Sequence, residues 1–167
     1  RVDMAGEGLD YAIRFGDGAW HGTQADRIMD APMSVMCSPA LAHGLRTMAD
    51  LARQPLLRSY RTDEWTAWFE AAGAPCPVVR GAVFDSSLTL AEAAAQGAGM
   101  ALLPVKMFAR ELQQGRLAQP FAQELHRGAY WLTRLQSRTT TGAMAAFRDW
   151  LMSQASVTAG AGAEELG

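Results

Sequence analysis

The sequence predicts an α/β protein in which strands alternate with helices and pair mostly in parallel, with helices on both sheet faces. Three observations carry that reading. Short alternating or wholly apolar segments bounded by Gly and Pro, such as "YAIRFG" and "GMALLP", have the length of strands. Between them lie segments with apolar residues at helical spacing, such as "DEWTAWFEAAG". Finally, 49% of the 167 residues are hydrophobic, enough for one domain or for two small lobes.

In chain order, Tyr11, Ile13 and Phe15 alternate with Ala12 and Arg14 in a strand that ends at Gly16, and the turn-rich "GDGAWHGT" follows. A second extended segment runs from Met33 to Cys37 and stops at Ser38-Pro39, where a serine cap and a proline at the first helical position open a helix. "MADLARQP" reads as one or two helical turns and "LLRSYR" as a short extended piece. In the next helix Trp65, Trp68 and Phe69 form a core stripe closed by Gly73. Cys76 to Ser86 is strand-like. Ser87 to Gln96 is a helix, with Asp85, Ser86 or Ser87 as N-cap, Thr89 and Glu92 as a capping box, and Gly97 at its left-handed end. "GMALLP" is a buried parallel strand, and "VKMFARELQQG" a helix with Met107, Phe108 and Leu112 inward. "AYWLTRLQS" is a strand, and the helix from Thr141 carries Met144, Phe147, Trp150 and Leu151 on one stripe. The tail, 156–167, lacks periodicity and is expected to be disordered.

Composition narrows function. A net charge of -2, with Lys106 the single lysine, gives no concentrated positive field for a phosphate backbone, so this chain is not expected to grip nucleic acid itself. Cys37 and Cys76 have no CxxC or histidine spacing around them, so no metal, cofactor or disulfide is expected, and both read as buried free thiols. No apolar run reaches the roughly 20 residues of a membrane span, and "RVDMAGEGLD" is not a signal peptide, so no membrane partner and a cytoplasmic location are expected.

The corner "FDSS" concentrates the chemistry. As a small serine hydrolase, Ser86 or Ser87 would be the nucleophile on a strand-to-helix turn. The flanking glycines of a nucleophile elbow are missing, however, and His21, His43 and His126 stand in no recognisable arrangement with a carboxylate. The same corner is a helix mouth, where free N–H groups, the helix dipole and serine hydroxyls favour an anion outside the carboxyl end of a strand. Simple N-capping uses the same residues, and the residues alone leave capping and anion binding open. "GDGAWHG" lacks a helix behind it and reads as a plain turn.

"VFDSSLTLAEAAAQGAGMALLP", "LLRSYRTDEWTAWFEAAG", "GLDYAIRFGDGAWHGT" and "YWLTRLQSR" together resemble the effector-binding domain of LysR-type transcriptional regulators, over Arg1 to about Leu151. More narrowly they resemble the AmpR and PenR type that controls β-lactamase expression. The resemblance implies a periplasmic-binding-protein-like fold: two Rossmann-like lobes joined by two crossover strands around a ligand cleft. Lobe one would comprise residues 1–57 and 138–155, incomplete at its N-terminus, and lobe two residues 61–130. Family members carry a helix-turn-helix, a linker helix and the first strand and helix of lobe one ahead of this stretch, as well as a cleft threonine with no counterpart here. The implied effectors are cell-wall muropeptides, either a UDP-muramyl pentapeptide or anhydro-muropeptides. Ser87, beside Ser86, matches the cleft serine, Tyr130 the cleft tyrosine and Asp3 an acidic regulatory position. The implied protein is a sensor and not an enzyme. It forms homodimers or tetramers through its parent and meets DNA only through the helix-turn-helix.

Overall fold

The computed structural model describes residues 3–4, 6–61 and 63–161, with side chains as far as residue 155. The chain forms two compact α/β units, Arg1–Ala31 with Arg127–Gly167, and Pro32–His126.

The first unit is a three-stranded antiparallel sheet. Its strands are β1 (Ala12–Gly16), β2 (Thr23–Asp30) and β7 (Ala129–Leu135), with β7 in the middle. Ala12 pairs with Thr133 and Gly16 with Ala129 across β1, while Thr23 pairs with Leu135 across β2. The buried Thr133 hydroxyl donates to the Ala12 carbonyl at 2.8 Å, so its polar group is satisfied inside the sheet. Helix α6 (Gly142–Ala161) is tied to the sheet by the Tyr11 hydroxyl on the Met144 carbonyl at 3.3 Å. It is also tied by a two-pronged pair from Arg148, whose Nε and Nη2 reach the Asp26 carboxylate at 2.8 and 2.7 Å.

The second unit is built on the antiparallel pair β3 (Met33–Met36) and β6 (Ala101–Pro104), whose residues are all buried. Helix α1 (Pro39–Ala42) opens with the expected Ser38 cap and Pro39, and α2 (Met48–Ala52) with a capping box between Thr47 and Asp50. Strands β4 (Arg58–Ser59) and β5 (Val83–Phe84) pair in parallel, and a parallel bridge from Leu56 to Met100 links β4 to the β6 side. Helix α3 (Glu64–Ala71) buries Trp65, Trp68 and Phe69 as expected, with Trp68 edge-on to Phe69 at 5.5 Å. Helix α4 (Ser87–Ala95) lays Leu90, Ala91 and Ala94 on Met36, Ala101 and Leu103. A 3-10 turn (Val105–Phe108) and α5 (Ala109–Gln113) complete that core through Phe108.

Several elements differ from expectation. Pairing is mostly antiparallel among the described strands, since a period-two pattern is the same in either orientation. Strand β2 has no counterpart in the sequence reading, because a bulge between Arg27 and Met29 breaks its alternation. Only Val83–Phe84 of the Cys76 to Ser86 segment is strand. Met107 is exposed, because the 3-10 turn rotates it away from the face that buries Phe108. Phe147 and Trp150 are also exposed, although Phe147 stacks on Tyr11 at 5.9 Å. Helix α6 runs through 156–161, the first part of the expected tail, and the rest of that tail lies outside the described residues. The compact units also partition the chain differently from lobes of 1–57 with 138–155 and 61–130. The β3–β6 ladder and the Leu57 N–H bond to the Met100 carbonyl at 2.8 Å place 32–57 in the second unit.

The hydrogen bond from Arg148 holds the Asp26 carboxyl below its ordinary 3.8; partial burial opposes this, and the charges of Arg148 and Arg134 reinforce it. Because the folded value is depressed, the pair stabilises the fold above the unfolded value and that contribution is lost as pH falls through the folded one. Arg148 is 40% exposed, so solvent screening keeps the contribution to about 0.5–1 kcal/mol near neutrality. Urea unfolding of Asp26→Asn should show that loss at about pH 7 and a flatter stability profile than the unsubstituted chain between about pH 6 and pH 3.

Candidate functional site

Strands β4 and β5 set the site's position. Ser59 pairs with Phe84, and the Tyr60 N–H donates to the Phe84 carbonyl at 3.1 Å, so both strands end side by side. At the carboxyl end of β5 the chain turns through Asp85 into α4. Ser86 is the N-cap with extended backbone (φ -130, ψ 133), and its Oγ accepts the Leu88 N–H at 3.2 Å. The expected capping box is absent. Thr89 Oγ1 donates to the Ser86 carbonyl at 2.9 Å, and Glu92 is drawn instead to Gln96 at 2.9 Å and to Arg116 at 2.7 Å. Those hydrogen bonds, Gln96 foremost and then Arg116, keep the Glu92 carboxyl below its ordinary range. Gly97 takes the expected left-handed conformation at φ +84.

Ser87 is the first residue of the helix and is half-buried. Its hydroxyl makes no hydrogen bond to another described residue, unlike that of Ser86. A first-turn helix position with an uncommitted hydroxyl and a free main-chain donor can stabilise a carboxylate or phosphate oxygen. The corner offers no nucleophile–base pair. His43 Nδ1 contacts the Pro39 carbonyl at 2.6 Å and His126 faces Glu124 at 3.5 Å, and neither hydrogen-bonds Ser86 or Ser87.

The structure brings Ser86 and Ser87 together in the second unit, while Tyr130 and Asp3 belong to the first. Tyr130 is half-buried on β7, with Phe15 edge-on to its ring at 5.7 Å. Asp3 is exposed and caps its own turn: Oδ1 accepts the Gly6 N–H at 3.0 Å and its carbonyl accepts the Glu7 N–H at 3.0 Å. Of the thiols, Cys37 is buried, which pushes it up to about 11 and leaves it unreactive. Cys76 is half-buried, contrary to expectation. Among the described residues no cluster of His, Cys, Asp or Glu side chains could hold a metal ion, and no helix is long and apolar enough to cross a membrane.

Sequence reasoning missed a polar cluster beside the corner. Glu64 is buried in the first turn of α3, and its carboxylate accepts from Ser59 Oγ at 2.7 Å and from Arg61 Nε. Arg61 Nη1 also donates to the Tyr60 hydroxyl at 3.0 Å. The signal for this cluster lies in the i, i+3 spacing of Arg61 and Glu64 at a helix start, where a carboxylate faces the positive end of the dipole.

The chain folds as two small α/β units with a capped helix mouth at adjacent strand ends in the second, and residues 1–156 match the LysR substrate binding domain, the family to which the chain belongs. Domains of that family have the periplasmic-binding-protein-like two-lobe fold. Within it, the chain is an effector-binding domain of the AmpR type. It is 57% identical over 161 residues to the HTH-type transcriptional activator AmpR of Pseudomonas aeruginosa, covering 95% of this chain and 54% of that protein. The effector domain of the Pseudomonas aeruginosa regulator superposes with a TM-score of 0.90, over 95% of this chain and 77% of that one. A Citrobacter freundii effector-binding domain carrying three substitutions, of threonine to valine, serine to alanine and tyrosine to phenylalanine, also gives 0.90. It is 48% identical, over 93% of this chain and 79% of that one. The chain spans about half the length of the curated relatives it matches. Those relatives regulate transcription and are not enzymes, which sets the hydrolase reading of Ser86 and Ser87 aside.

Removing the Ser86 cap should cost about 1 kcal/mol in Ser86→Ala. Ser87→Ala should stay within about 0.5 kcal/mol of the unsubstituted chain, since its hydroxyl holds no partner among the described residues. Paired urea midpoints check both; equal losses would remove the distinction between a structural and an uncommitted serine.

Proposed function

We propose that this chain senses cell-wall muropeptides, a UDP-muramyl pentapeptide or anhydro-muropeptides, for a LysR-type regulator of β-lactamase expression. The effector's terminal carboxylate sits on the α4 mouth at Ser86 and Ser87. Tyr130 is a further effector-binding residue, and Asp3 is a regulatory position. The uncommitted Ser87 hydroxyl at that mouth is the observation that carries this reading. The substituted Citrobacter freundii domain adds support, because its altered serine and tyrosine stand as many positions apart as Ser87 and Tyr130 do here.

The physical logic is selective stabilisation. An effector that binds one arrangement of the regulator better than another shifts the balance between repressing and activating states by its difference in affinity. DNA contact belongs to the helix-turn-helix of the parent protein, which pairs into dimers or tetramers and works in the cytoplasm. Calorimetry with UDP-muramyl pentapeptide tests the site. Ser87→Ala and Tyr130→Phe should each weaken binding by about 1.5–3 kcal/mol, as for a charge-assisted hydrogen bond, with little change in melting temperature. Unchanged affinity in both variants would overturn the assignment.

A further inference from the structure

The second unit holds a cavity of about 190 Å³, walled by Trp65, Pro77 and Val79 and edged by Arg58, Arg61 and Thr66. None of its lining residues is acidic. The two arginines differ in how their charge is met. Arg61 is matched by the buried Glu64 carboxylate and held in place by the Tyr60 hydroxyl. Arg58 is half-buried and has no carboxylate partner among the described residues; its one hydrogen bond runs from Nη1 to the Gly81 carbonyl at 3.3 Å. The cavity edge therefore carries one surplus positive charge in a partly desolvated setting, where a single anionic oxygen pair completes it.

We infer that Arg58 seats a second carboxylate of the bound effector, with Thr66 as an additional donor and Trp65, Pro77 and Val79 against its aliphatic stem. This subsite rests on the muropeptide reading above and extends it from one carboxylate to two. Two features select the ligand class. The cavity falls below the roughly 300 Å³ at which whole-ligand pockets begin, so it takes one arm of a larger molecule. One uncompensated guanidinium matches a carboxylate, which carries one charge, better than a phosphate, which carries nearly two. Placement fits as well: Arg58 on β4 pairs with Val83 on the parallel neighbour β5, three residues ahead of the Ser86 cap in the chain.

The test is calorimetry on the chain with two probes. One is an anhydro-muramyl tripeptide with free carboxylates, and the other is its derivative in which every carboxylate except the terminal one is an amide. The unsubstituted chain should bind the free acid about tenfold more tightly. Arg58→Met should bring the acid to the affinity of the amide while changing the amide less than about twofold, and Arg58→Lys should fall between them. Equal binding of the two probes by the unsubstituted chain overturns the subsite without needing any variant, and so does equal weakening of both probes by Arg58→Met. Ser87→Ala in the same titrations separates the two ideas. If it weakens both probes while Arg58→Met changes neither, only the subsite falls; if the unsubstituted chain binds neither probe, the muropeptide reading falls and the subsite with it.

Discussion

The second unit depends on the close backbone passage at Gly99-Met100. Met100 donates to the Pro55 carbonyl at 2.8 Å and accepts from the Leu57 N–H at the same distance, fastening β4 to the β6 side. Gly99 stands at φ +154, and a Cβ there would lie 2.3 Å from the Pro55 carbonyl oxygen, so only glycine lets the two chains meet. Everything that positions the candidate site follows from this contact. It fixes β4, β4 fixes β5, and β5 aims the Ser86 corner. On the other side, β6 and β3 give α4 the buried floor on which Leu90 and Ala94 rest.

Around that frame the polar groups divide by what already occupies them. Ser86, Thr89, Glu92 and Glu64 are engaged in capping or pairing, and their chemistry is consumed by the fold. A buried carboxylate such as Glu64 is tolerated only because Ser59 and Arg61 both satisfy it. Among the described residues Ser87 and Arg58 stand apart, one with a hydroxyl that no other side chain or backbone group engages and the other with a charge that no carboxylate meets.

Much of the corner was legible because its determinants are local. The serine cap, the alanine-rich helix and the glycine exit of α4 lie within a dozen residues, and each acts through its own backbone. The Trp65, Trp68 and Phe69 stripe was equally plain, since three aromatics at helical spacing need a common buried face. Where the reading failed, a competing partner or a local departure from regular geometry had intervened. Glu92 left the capping box for Gln96 and Arg116, the bulge in β2 hid a strand formed against β7, and Met107 turned outward when its helix began as a 3-10 turn.

By itself the sequence determined the α/β class, the capped helix mouth at Ser86 and Ser87 and, through its motifs, the effector-domain family. Strand orientation, the partition into two units and the Ser59–Glu64–Arg61 cluster were decided only by the tertiary structure. The physical reason is range. Caps and stripes are written within one helical turn or two, whereas the direction in which β7 crosses β1 and β2, and the Gly81 carbonyl that Arg58 reaches, depend on segments far apart in the chain.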